Sequence, residues 1–229
     1  MKQYIYETHL HTSEGSACGV TTGAEAVRAY KKIGYSGIFV TDHFFNGNCA
    51  INDDLCWKDK VEAFCLGYEH AKEEAEGSDF SVFFGFEYNF SGDEYLIYGI
   101  TKQWLIAHPE IMRLSHSQLF KLIDNAGGLV VQAHPYRKRS YIKSINLYPD
   151  DVHAVEVYNA ANAPSENDEA LEYAALHRLP GTSGSDMHNV NNLHCLGGVA
   201  FEEKLETVQD YVSRIKSGEG FTPLPPKAY

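Results

Sequence analysis

The chain lacks the marks of several functional classes. It has no Gly-x-Gly-x-x-Gly and no Walker-type loop, so a nucleotide-binding fold would be without its phosphate cradle. Charged residues interrupt every apolar run before it reaches the length of a membrane span. The N-terminus passes straight into a strand-like run, without the apolar core of a signal peptide. Basic residues are outnumbered, 19 Lys and Arg against 31 Asp and Glu, giving a formal net charge of -12. That sign opposes long nucleic acids and anionic membranes as partners. Cysteine is scarce: five residues, an odd count, with no Cys-x-x-Cys pair. This points to a reduced, cytoplasmic protein rather than a disulfide scaffold. No repeat, low-complexity block or linker divides the 229 residues, a length that suits one α/β domain spanning 1–229.

What is present is one pattern, repeated. Tyr4-Ile5-Tyr6-Glu7-Thr8 runs into His9-Leu10-His11. In a strand, residues two apart face the same side, so His9 and His11 can aim two imidazoles at one point. Residues 37–41 run into Asp42-His43, residues 81–86 into Glu87, residues 128–133 into His134-Pro135, and residues 181–185 into Asp186-Met187-His188. In barrels of parallel strands the C-terminal strand ends share one rim, where active sites are built. Imidazoles and carboxylates gathered there suit zinc, iron or manganese, and magnesium is possible.

The helical signals lie between these runs. Thr22 and Glu25 form a capping box for a helix ended by Gly34, and Ser115 with Gln118 forms a second for a helix through Ala126. A long helix is predicted over residues 57–76, with others at 165–177 and 203–217. Strands alternating with helices imply a parallel α/β sheet, and seven strands with ligands at one end favour a closed or nearly closed barrel. The proline-rich stretch 221–226 reads as an extended strap or a frayed tail.

Taken in order, His9-x-His11, Thr41-Asp42-His43, Glu87, His134-Pro135-x-Arg137 and Asp186-x-His188 resemble the motifs of the PHP (polymerase and histidinol phosphatase) superfamily, over residues 4 to about 200. The resemblance implies a distorted (β/α)7 TIM-like barrel, with two or three divalent metal ions at its C-terminal rim and, usually, phosphoester hydrolysis. It also implies His9, His11, Glu87 and Asp186 on a first metal, Glu87 bridging to a second held by His134, and His43 and His188 on a third. Two family positions are spelt differently. The loop after His-x-His normally brings an acid or His; here Glu14 and Cys18 compete, and Glu14 is preferred for its reach and hard oxygen. A second-metal His after the bridging Glu is absent, and Glu94 stands nearby.

Paired metals lower the pKa of bound water and clamp both oxygens of an in-line displacement. The expectation is therefore a metal-dependent phosphoesterase hydrolysing a small phosphorylated metabolite by a metal-activated hydroxide. Arg137, just after His134, reads as a bidentate fork for phosphate. His194, just past the last motif, is a candidate general acid or substrate contact, and Asn159 a candidate hydrogen-bond donor at the rim. The alternatives are an amidohydrolase-type barrel cutting an amide or lactone, and a non-catalytic, metal-stabilised regulatory domain.

Overall fold

Short β-branched and aromatic runs alternate with amphipathic helices. In this computed structural model, residues 3–140 and 142–228 are described. The first half comprises β1 Tyr4–Glu7, α1 Gly23–Lys32, β2 Gly37–Val40, α2 Trp57–Phe64, α3 Leu66–Ala75, β3 Ser81–Phe90 and β4 Asp93–Tyr98. The second comprises α4 Lys102–Ala107, α5 His116–Asn125, β5 Leu129–Gln132, β6 Ala154–Asn159, α6 Pro164–His177, β7 Gly181–Gly184, β8 Cys195–Phe201, α7 Val208–Ser217 and β9 Phe221–Ala228.

The strands form one sheet in the order β7-β6-β5-β4-β3-β2-β1-β8-β9. Its two ends curl toward each other. Thr8 Oγ1 donates to the Ser183 carbonyl (2.7 Å), the Gly198 amide donates to Ser183 Oγ (3.1 Å), and Leu10 forms a parallel bridge with Met187. The result is the nearly closed barrel that the strand pattern predicts, with the distorted TIM-like form that the family resemblance implies. Inside it, Tyr6, Phe39, Tyr98, Phe201 and Tyr211 pack ring against ring with no more than 1% exposure. Burying a side chain of this size contributes roughly 1.5–3 kcal/mol.

The structure departs from a regular parallel barrel in several places. β4 runs antiparallel to both neighbours, β3 and β5. The β3–β4 connection is a two-residue hairpin turn in which Ser91 (φ 56°) and Gly92 (φ 116°) both take positive φ, the twist that suits a tight hairpin. The proline-rich tail is an ordered strand: β9 pairs antiparallel with β8 at the sheet's edge, where a missing N–H breaks no interior ladder. The helix expected over 57–76 is broken at Cys65. Its second part lies so close to the β1 loop that a Cβ at Gly67 would meet Thr12 Oγ1 at 2.2 Å. The last helix starts at Val208 rather than 203, because Thr207 accepts the Asp210 amide and caps it there. Both predicted capping boxes form. Among the described residues, no helix is long and apolar enough to cross a membrane.

Candidate metal centre

The barrel brings the strand ends to one point. His9 and His11 leave β1, His43 follows β2, Glu87 lies on β3, Glu94 on β4, His134 follows β5, and Asp186 and His188 follow β7. Their donor atoms converge in four overlapping groups: His9–His11–Asp186, His9–Glu87–His134, His43–Glu87–Glu94 and His11–His43–His188. Two strand ends turn through unusual backbone to do this, since His134 (φ 29°) and Asp186 (φ 55°) are both left-handed. Strain of this kind, of order 1–3 kcal/mol per residue, persists only where the surroundings enforce it.

Hydrogen bonds fix the imidazole tautomers. His9 Nδ1 donates to Glu156 Oε1 (3.0 Å). Ser16 Oγ gives its proton to Asp42 Oδ1 (2.7 Å) and so accepts from His11 Nδ1 (3.0 Å) and from the His43 amide (2.9 Å). On a neutral ring this leaves Nε2 a bare acceptor, and the two Nε2 atoms face each other at 3.1 Å. Asp186 Oδ1 lies 3.2 Å from His11 Nε2 and 3.5 Å from His9 Nε2, and Glu87 Oε1 lies 3.2 Å from His9 Nε2. Acceptors pointed at one another in a dry interior repel unless a cation stands between them. A second observation agrees. His43 Nδ1 and Glu87 Oε2 approach to 2.7 Å, but both are buried without an aligned hydrogen-bond partner, as atoms aimed at a common third point would be. The residues present therefore fit a divalent metal centre.

The electrostatics lead the same way. Burial and then the neighbouring His43 hold His11 neutral, down to about 3. Burial opposes a charge on His9, but Glu156, Asp186 and Glu87 outweigh it and raise the ring well above its usual range, so the field draws positive charge to the point where the two Nε2 atoms meet. Burial would raise Glu87, yet His9 and His43 pull it well below the usual carboxylate range. A divalent ion held by these residues would supply that positive charge in place of a proton.

The supporting residues were mostly invisible in the sequence. Glu156, on β6, is fully buried and accepts from His9 Nδ1, from the His134 amide (3.1 Å) and from Asn159 Nδ2 (2.9 Å), so one carboxylate orients two ligands. Only glycine at 184 lets β7 approach this pair, because a Cβ there would meet His9 Cβ at 2.5 Å and Glu156 Oε1 at 2.7 Å. Asp42 is no ligand. It accepts from the Thr12 amide, Thr12 Oγ1 and Ser16, and burial lifts its carboxyl to about 6 against those bonds.

Three sequence expectations need correction. Glu14 turns away from the cluster: its carboxylate accepts from the Gly23 amide at the N-terminus of α1 (3.3 Å) and pairs with His70 (3.0 Å). The positive end of a helix is a favourable place for an acid, and it competes successfully for this one. Cys18 instead borders the cleft, within hydrogen-bonding reach of His188 and His43, which against burial draw its thiol down to about 6. His194 is exposed in the turn before β8 and does not border the cleft. Arg137 is buried at the cleft wall but is already engaged: Nη1 pairs with Asp186 Oδ2 (2.6 Å), Nη2 donates to Asn159 (2.8 Å) and Nε to Asn162 (2.8 Å). It orients Asp186, and only its remaining N–H groups are free to meet a ligand. The cleft has a volume of about 500 Å³, and Asn46, Asn48 and Asn89 add neutral polar groups to its wall.

With this geometry established, the likenesses to known proteins can be placed. The chain superposes on a two-domain protein of Bacteroides vulgatus that contains a predicted PHP-like metal-dependent phosphoesterase, with TM-score 0.74 and 14% identity over 98% of this chain and 65% of that one. This chain has the fold of the PHP superfamily. A family model described as PHP-associated matches residues 164–219, from α6 to just past α7. The lesion-specific endonuclease EndoQ of Pyrococcus furiosus also superposes (TM-score 0.62, 13% identity, 98% of this chain and 58% of that one). So does an amidohydrolase of Chromobacterium violaceum with bound sulfate and no metal (TM-score 0.52, 16% identity, 80% and 87%). The PHP-fold chain thus spans less than two thirds of the length of the first two. No curated protein sequence matches it. Three neighbours named for three chemistries share the fold, so reaction and substrate must be argued from the site.

Proposed function

We propose that residues 1–229 form one catalytic domain, a cytoplasmic metal-dependent phosphoesterase that hydrolyses a small phosphorylated metabolite. The observation carrying this reading is the set of buried acceptors that face one another, with the Arg137 guanidinium on the adjoining cleft wall. Divalent ions bound there, with zinc, iron or manganese best suited to the mixed donors, would supply Lewis-acid charge and acidify water. The chain's own residues bind and orient. Glu156 and Ser16 set the imidazoles, Arg137 steadies Asp186 and offers its remaining N–H groups to an anion, and the cleft asparagines offer neutral donors.

A cleft of about 500 Å³ suits a metabolite, and a net charge of -12 disfavours long nucleic acid. Free thiols at all five cysteines agree with a reducing compartment. The test is a panel of phosphomonoesters offered to protein loaded in turn with zinc, iron, manganese or magnesium. Turnover of at least one is expected. Cleavage of an amide, a lactone or a short oligonucleotide, with every phosphomonoester untouched, would overturn the proposal in favour of the chemistries named for the neighbouring structures.

A further inference from the structure

Behind Arg137 lies a relay of side-chain amides. Arg137 Nε donates to Asn162 Oδ1 and Nη2 to Asn159 Oδ1, both at 2.8 Å. Both asparagines are in turn held by Asn167, in the first turn of α6. Asn167 Oδ1 accepts from the Asn159 amide (3.1 Å) and from Asn162 Nδ2 (3.2 Å), and its Nδ2 donates to the Asn159 carbonyl (3.1 Å). Asn167 is buried and does not border the cleft. Its neighbour Glu166 strengthens the contact between α6 and the Arg137 segment, accepting from the Lys138 amide at 2.7 Å.

Donors and acceptors leave this relay one arrangement. A guanidinium only donates, so both asparagines must turn an oxygen toward Arg137. An amide placed the other way round would set N–H against N–H away from water. The Asn159 backbone offers Asn167 a fixed donor and a fixed acceptor, so the Asn167 amide fits in one sense only. That sense presents its oxygen to Asn162 Nδ2 and leaves Asn162 Oδ1 for Arg137 Nε. We propose that Asn167 is a positioning residue of the site: by fixing Asn159 and Asn162 it aims the Arg137 guanidinium at the cleft and, through Nη1, steadies Asp186. The proposal rests on the reading of Arg137 as a phosphate-binding group on the cleft wall, and adds what keeps it there.

The test is a double-mutant cycle on the metal-loaded whole chain: wild type, Asn167→Ala, Arg137→Ala and the pair combined. For a hydrolysed phosphomonoester, kcat/KM should fall roughly 10- to 100-fold in Asn167→Ala, as for a misplaced binding group. Adding Asn167→Ala to Arg137→Ala should cost no more than about 2-fold further, the scatter of such cycles. Losses that multiply in full would mean that Asn167 acts on the fold at large, and would overturn the proposal. A second readout needs neither metal nor substrate. The Arg137 Nε–H resonance, identified by its absence in Arg137→Lys, should exchange with water at least about 10-fold faster in Asn167→Ala, since a hydrogen bond to a charged group is loosened. An unchanged exchange rate would also overturn the proposal. Should Asn167→Ala fail to fold, Asn167→Asp keeps the shape but loses the proton given to the Asn159 carbonyl, and runs both measurements with an expected loss of about 3- to 10-fold. A chain that shows the exchange difference and hydrolyses no phosphomonoester keeps this inference and loses the proposed reaction.

Discussion

The inner and outer sides of the centre use the same side chain under different conditions. His9 and His134 lie deep, at 0% and 4% exposure, and Glu156 accepts from the ring of the first and from the backbone amide of the second. His43 and His188 face the cleft with side chains 11% and 30% exposed. There Ser16 Oγ accepts the His43 backbone amide, and the neutral Asp186 carbonyl accepts from His188 Nδ1 (2.9 Å). An imidazole that donates to a carboxylate is a more basic ligand than one that donates to a hydroxyl or carbonyl. By that measure His9 is a stronger ligand than His188, and an ion on the inner side is expected to be held more tightly than one on the outer side.

The most severe way to break this contrast is to remove the carboxylate common to both sides. Glu87→Gln should cost at least about 100- to 1,000-fold in phosphoester turnover, since charge stabilisation at the reacting centre is lost. The metal content of the purified variant should fall as well, and its melting temperature should approach that of chelator-treated wild type. Binding at ~1,000 times the dissociation constant contributes about 4 kcal/mol. Wild-type metal content and turnover in Glu87→Gln would dissolve the whole centre.

A smaller change separates the two sides. Glu156→Gln keeps the shape and removes the charge behind the His9 ring and the His134 backbone amide, and should weaken the tightest metal-binding step roughly 10- to 100-fold. Ser16→Ala should act mainly on the weaker step, and by less. Metal titrations of the two variants in which Ser16→Ala harms the tight step more would reverse the proposed asymmetry. The smallest effect is expected from Glu14→Ala. Metal content should be unchanged, and stability should fall by about 0.3–1 kcal/mol through loss of the acid at the start of α1. A missing metal equivalent in that variant would return Glu14 to the cluster.

The ligands were legible because each ends an apolar run. His9, His11, His43, Glu87, His134, Asp186 and His188 sit where a strand leaves the core, and strand period and barrel geometry do the rest. Their supporters carry no such local sign. Glu156 stands third among the six residues of β6 and finds its role only against His9, 147 positions away. Ser16 looks like any loop serine until Asp42 takes its proton. The antiparallel β4 did leave a trace, the Ser91-Gly92 pair between two β-rich runs, which is a hairpin signal when the turn rather than the flanking strands is read first. Glu14 illustrates the opposite failure: reach and ligand chemistry were right in general, but a helix N-terminus lay closer.

The spread of the ligands along the chain also governs when the centre can come into being. His9–His11–Asp186 and His11–His43–His188 each need both ends of the sequence, and His9–Glu87–His134 spans more than half of it. Only His43–Glu87–Glu94 is contained in one continuous segment, among the described residues. It is the one oxygen-rich group that the first half of the chain could form without the second. The two groups containing Asp186 or His188 exist only once β1 and β7 have met, at the entropic cost of closing a loop of nearly the entire polypeptide. Metal acquisition in this barrel is therefore expected late in folding, where a bound ion would seal a closure that the chain has already made.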